Sequence, residues 1–140
     1  MSELTDFKIH TKLKLSLLWA STVFCYIYCD YFELYIPGKL QGMLQGNLGP
    51  IGQVTQGALV GTSVLLAIPS LLIFFSAVLS PRVSRSLNLI FGVLYTLMMI
   101  MLAFQAGWYF YKFFASLEAF LTALVIWYAW TWPKASGSVA

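Results

Sequence analysis

Hydrophobic and polar positions divide this chain into four long apolar stretches with short polar punctuation between them. The stretches cover about residues 15–36, 55–79, 87–110 and 114–132. Each is close to the roughly 20 residues that a helix needs to cross a bilayer. None alternates with a period of two. Helices are therefore expected, because a helix satisfies its own backbone hydrogen bonds in hydrocarbon. The pattern predicts an all-α polytopic membrane protein: a single membrane domain over residues 1–140, folded as an antiparallel bundle of four transmembrane helices.

The connections differ in length. "SPRVSR" (80–85) makes a tight turn around Pro81, and the turn near "YKFF" (111–114) is so short that the third and fourth spans must be antiparallel neighbours. The loop over residues 37–54, running on to Gly57, is long and glycine-rich, with Gly38, Gly42, Gly46, Gly49 and Gly52, and Lys39 is its only charge. Leu40, Met43 and Leu44 fit one face of a short helix. This loop is expected either to lie on the bilayer surface or to act as a lid over a pocket.

Composition supports the membrane reading. The chain is 60% hydrophobic and 9% charged, against about 25% charged for a soluble domain. The basic residues flank the spans. Lys8, Lys12 and Lys14 precede the first, Arg82 and Arg85 separate the second from the third, and Lys134 follows the fourth. Only Lys39 and Lys112 fall on the other side. The excess of Lys and Arg on one side predicts an inner (plasma) membrane protein with both termini in the cytoplasm. Trp127, Tyr128, Trp130 and Trp132 are expected at the inner interface, and Trp108, Tyr109 and Tyr111 at the outer one. No basic face with interleaved aromatics exists, so nucleic acid is not an expected partner. The N-terminal "MSELTDFKIHTKLK" stays polar too long for a signal peptide, and the first span is read as retained.

Several polar or small residues have ordinary roles. Cys25 and Cys29 are spaced by four, not three as in a redox motif, and are expected in a helix interface. Pro69 lies mid-span and is expected to kink its helix. Gly61, Ala67 and Ala77 are expected to allow close helix packing, with Gln56, Ser63 and Ser70 on one side of the same span. His10, the one histidine, lies in the polar N-terminal segment, away from any outer pocket. Met98 and Met101, with the two cysteines, raise a copper(I) idea, but ordinary membrane packing explains them, and no metal site is predicted.

The acidic residues carry the functional signal. The chain has five, and "YCDYFELY" (28–35) places two, Asp30 and Glu33, at the end of the first span. With the span boundaries above, Asp30 lies roughly 9 Å below the outer surface, Glu118 roughly 6 Å, and Gln105 roughly 7 to 8 Å. Burying a charge at the bilayer centre costs about 2.5 to 3.5 kcal/mol. That cost should turn the acids inward, toward each other or a wet cavity. The predicted ligand site consists of Asp30, Glu118, Tyr26, Gln56, Tyr95 and Gln105, with Glu33 nearer the surface.

"YIYCDYFELY", "TQGALVGTSVLLAIP", "SRSLNLIFG" and "SLEAFLTALVIWYAWTW" resemble an uncharacterised bacterial family of four-helix inner-membrane proteins, a domain of unknown function similar in outline to the DoxX-like membrane proteins. Asp30, Gln56, Pro69, Asn88, Glu118, Trp127 and Tyr128 match its recurring positions. The resemblance implies a four-helix bundle and supplies no activity.

Three functions fit these residues. One is binding or transport of a small amphipathic ligand, lipid or cation at an intramembrane carboxylate site in the outer third of the bilayer. A homodimer would make transport easier. A second is acid–base catalysis on a lipophilic substrate, such as isomerisation or quinone chemistry. A third is an accessory role, with the acids paired to a partner membrane subunit.

Overall fold

The structure, a computed structural model, describes residues 8–47 and 52–133. Lys134, the first seven residues and the loop positions 48–51, Gly49 among them, lie outside the described residues. Five helices follow in order: α1 (Thr11–Glu33), α2 (Lys39–Leu44), α3 (Gln56–Val78), α4 (Pro81–Gln105) and α5 (Tyr109–Trp130). Among them α1, α3, α4 and α5 are long and apolar enough to cross a membrane, and the chain is a multi-pass, all-helical membrane protein.

Local chemistry sets the helix ends. The His10 side chain caps α1 by accepting from the Lys12 amide at 3.4 Å. Thr55 caps α3 through the Ala58 amide, a first-turn donor left without a helical partner. Pro81 opens α4 at a position where its missing N–H costs nothing. Gly38, the N-cap of α2, has φ of 81°, the left-handed region that glycine enters without strain.

The long helices run alternately up and down. Lys12 Nζ reaches the carbonyl of Leu79, Ser16 donates to Ile73 O and Arg85 Nε donates to Ala129 O, so the start of α1, the α3–α4 turn and the end of α5 share one end of the bundle. That end carries Lys12, Lys14, Arg82 and Arg85 and is called the basic end here. At the opposite, loop end, Phe32 of α1 stacks with Phe114 of α5 at 6.3 Å.

Three seams hold the bundle: α4 on α5, α5 on α1, and α1 on α3, while α3 meets α4 only sparsely. The buried positions of α1 are Leu15, Trp19, Thr22, Tyr26 and Cys29. Those of α4 are Ser84, Asn88, Gly92, Tyr95 and Met99. Those of α5 are Ala115, Glu118, Thr122, Val125 and Ala129. Each row steps by three or four residues and so lies on one helix face. Gly92 sets the closest approach, since a Cβ there would stand 2.9 Å from Ile126 Cγ1.

α3 differs. Its buried residues, Pro69, Leu72 and Ser76, all lie in its second half. From Gln56 to Ile68 no residue is fully buried, although Thr62 and Ile68 are partly so. Gly61, Ala67 and Ala77 are exposed, which corrects their expected packing role. Gly61 has no neighbour within 4 Å of a built Cβ. Ser63 and Ser70 are exposed too and bond back to Leu59 O and Leu66 O within α3. The face that packs is the one carrying Pro69. α3 continues through this proline as a single helix, and the carbonyl four residues earlier, Leu65 O, is the one whose amide donor proline lacks. Tyr95 Oη of α4 supplies the missing donor at 2.5 Å.

At the basic end a buried polar cluster ties three helices. Asn88 Oδ1 accepts from Trp19 Nε1 at 2.7 Å and from Ser76 Oγ at 3.2 Å. Asn88 Nδ2 donates to Ser84 O at 2.8 Å. Asn88, Ser76 and Ser84 are fully buried, and satisfied polar groups of this kind join helices where apolar contact alone discriminates little.

Candidate ligand site

α3 meets α4 only sparsely, and the loop half of the bundle encloses a cavity of about 350 Å³. All five helices contribute. α1 gives Tyr26, Asp30 and Glu33; α5 gives Tyr111, Ala115 and Glu118. The remaining wall is mostly apolar, with Leu65 and Leu66 from α3 and Met98, Met99 and Leu102 from α4. The rim is Lys39 and Met43 of α2. The floor is Tyr95, whose ring meets Trp19 edge-on at 5.8 Å, directly above the Asn88 cluster.

Of the site residues expected from sequence, Tyr26, Asp30, Glu33, Tyr95 and Glu118 line this cavity. Gln56 and Gln105 do not. Gln56 is the exposed first residue of α3 and Gln105 the exposed last residue of α4. The apolar window continued to residue 110, but the chain leaves the helix at Ala106, which is extended (φ −63°, ψ 133°). That places Gln105 at the helix tip instead of five residues below it.

The acids differ in exposure more than in level. Phe32 of α1 stacks with Phe114 of α5, so Asp30, two residues below Phe32, and Glu118, four residues below Phe114, lie roughly 3 Å apart along the bundle axis. Asp30 is exposed and Glu33 partly so, at the cavity mouth; Glu118 is buried, 3% exposed.

Glu33 is paired with Lys39 Nζ at 2.5 Å, the one ion pair among the described residues. α2 is thereby held over the cavity mouth as a short cap. Asp30 has no ion pair among the described residues. Glu118 Oε1 and Tyr26 Oη are the two buried side-chain polar atoms with no hydrogen-bond partner among the described residues. A buried polar atom left unbonded costs about 1–3 kcal/mol, and two such atoms line a single cavity here. Sequence spacing placed Tyr26 and Glu118 inward, and it offered a short helix with Leu40, Met43 and Leu44 on one face as a lid over a pocket, but it did not single out Lys39 as the partner of Glu33. The i, i+6 placement of Glu33 and Lys39 around Gly38 was the signal available.

Cys29 is buried and lines the cavity beside Met98. Met101 is on the exposed side of α4. The sulfur atoms of the copper(I) idea thus face different ways. Among the described residues no three His, Cys, Asp or Glu side chains are grouped to hold a metal ion.

No curated protein and no solved structure matches this chain. The model of a family of unknown function, DUF6326, matches residues 3–138, and the chain belongs to that family.

Proposed function

We propose that this protein binds a small amphipathic ligand in the cavity between α1, α3, α4 and α5, with the polar end of the ligand at Glu118 and Tyr26. The observation that carries this reading is the pair of buried, unbonded atoms, Glu118 Oε1 and Tyr26 Oη, lining a cavity that is otherwise largely apolar. A ligand with one polar end would satisfy both atoms, and its apolar remainder would replace lipid contact along Leu65, Leu66 and Met98. Pockets of about 300–1,000 Å³ with a few converging polar groups are the usual form of small-molecule sites. Binding is favoured over passage through a single chain because the Trp19–Asn88–Ser76 cluster fills the bundle beneath the floor.

The cluster of Lys12, Lys14, Arg82 and Arg85 at one end supports an inner-membrane orientation with that end in the cytoplasm. The cavity then faces the outer leaflet. Lys14 lies over the Tyr128 ring at 5.0 Å, and Trp127 and Trp130 are exposed at the same end, as interfacial anchors would be.

The test is native mass spectrometry of the full chain released from gentle micelles. Wild type should retain a small-molecule adduct at a ratio of one to one. Ala115→Phe, which fills the cavity one turn from Glu118, should lose the adduct and unfold near the thermal midpoint of wild type stripped of its ligand. A wild type with no adduct, or a variant that retains it, would overturn the reading.

A further inference from the structure

The charge balance of the cavity restricts what this ligand can be. Asp30, Glu33 and Glu118 are all the acidic residues among those described, and all three line this cavity. Lys39 is the one basic residue that lines it, and it is engaged by Glu33. Two carboxyls, the exposed Asp30 and the buried Glu118, therefore line the cavity without an ion pair among the described residues. Three tyrosines, Tyr26, Tyr95 and Tyr111, also border it. Carboxyls and aromatic rings together favour a cation, the first by charge and the second through the negative face of the ring. An anionic head would meet like charge in a poorly solvated space, where repulsion is strong.

The rest of the cavity argues against a bare metal ion. Hard cations require about six oxygen ligands, and the buried part offers the Glu118 carboxyl and the Tyr26 hydroxyl among thioether and aliphatic groups. The apolar wall instead suits a hydrocarbon substituent. Leu65 and Leu66 line the cavity yet are 37% and 44% exposed, and α3 meets α4 only sparsely. The cavity thus reaches the lipid-facing surface between these two helices.

Resting on the proposed ligand site, we infer that the ligand is an ammonium-headed amphipath, its cationic head between Glu118 and Asp30 and its alkyl chain leaving toward the bilayer between α3 and α4. A long-chain amine and a choline-type lipid share this chemistry.

Full-length protein in neutral maltoside micelles separates the outcomes. The probes are dodecyltrimethylammonium, dodecanol and dodecyl sulfate, which share a chain length and differ in charge, with lysophosphatidylcholine as a fourth. Binding is read by native mass spectrometry and by thermal midpoint. Dodecyltrimethylammonium should bind one to one and raise the midpoint. Glu118→Gln, nearly isosteric at an unbonded position, should keep the unliganded midpoint and weaken that binding at least tenfold. Asp30→Asn should weaken it several-fold, and Leu66→Trp, across the exit, should weaken it while leaving the unliganded fold intact. If lysophosphatidylcholine binds as tightly and with the same Glu118 dependence, the source is a lipid; if it does not, the source is a simple amine, and both results support the inference. Equal or tighter binding of dodecanol or dodecyl sulfate would overturn the inference and leave the ligand site standing. Failure of all four probes to bind saturably would overturn both.

Discussion

Pro69 and Tyr95 offer a quantitative check on how the cavity is built. Proline at position 69 removes the amide that Leu65 O would accept, and the hydroxyl of Tyr95, itself fully buried, takes its place. Tyr95→Phe deletes that donor and leaves the carbonyl facing an apolar wall. Interhelical hydrogen bonds in membrane bundles average about 0.6 kcal/mol and reach about 1.7 kcal/mol. Leaving a buried carbonyl unsatisfied adds to this, within an overall range of about 1–3 kcal/mol. Tyr95→Phe should therefore destabilise the bundle by about 1–2 kcal/mol. In the Pro69→Ala background the amide of residue 69 returns to Leu65 O, and the same change should cost no more than about 0.6 kcal/mol. The double-mutant cycle should show a coupling of about 1 kcal/mol, read from equilibrium unfolding in mixed maltoside and dodecyl sulfate micelles. An equal cost for Tyr95→Phe in both backgrounds would refute the pairing of proline and tyrosine.

Other consequences follow from the packing. Asn88→Ala should cost about 1–3 kcal/mol by leaving Trp19 Nε1 and Ser76 Oγ without their acceptor, and Trp19→Phe should lose most of its own effect in that background, as a stability cycle would record. Gly92→Val should destabilise by about 1–3 kcal/mol through overpacking against Ile126, whereas Gly61→Val, with open space around it, should change the unfolding midpoint little. Lys39→Gln breaks a partly exposed ion pair and should cost under about 1 kcal/mol in stability, but it should increase exchange of the α2 amides with solvent deuterium.

The four spans were legible because hydropathy alone marks them, and the direction of the acids followed from the cost of placing charge in lipid. Packing faces were harder to read. In a membrane helix apolar side chains face lipid and neighbouring helices alike, so Gly61 and Ala67 look as suited to an interface as Gly92 does. Only polar residues discriminate. Ser84 and Asn88, one turn apart, and Ser76 across the turn at Ser80 were the signal for the cluster at the basic end. The sparse contact between α3 and α4 was not legible at all. Pro69 predicted a local loss of one hydrogen bond, but how closely α3 meets α4 depends on contacts among four helices. Gln105 was misplaced because an apolar window does not mark where a helix ends.

The claim on which the site rests is that the loop half of the bundle holds open space around Glu118 while the interior around Trp19, Asn88 and Ala129 is filled by buried side chains. Cys29, buried and lining the cavity, and Ala129, buried at the basic end, provide matched probes. In a Cys25→Ala, Ala129→Cys variant, both thiols can be challenged in one molecule with a small lipophilic maleimide and quantified by peptide mass spectrometry. Cys29 should be labelled many times faster than the introduced thiol, and dodecyltrimethylammonium should slow its labelling. Equal rates at the two positions would mean that no cavity exists there.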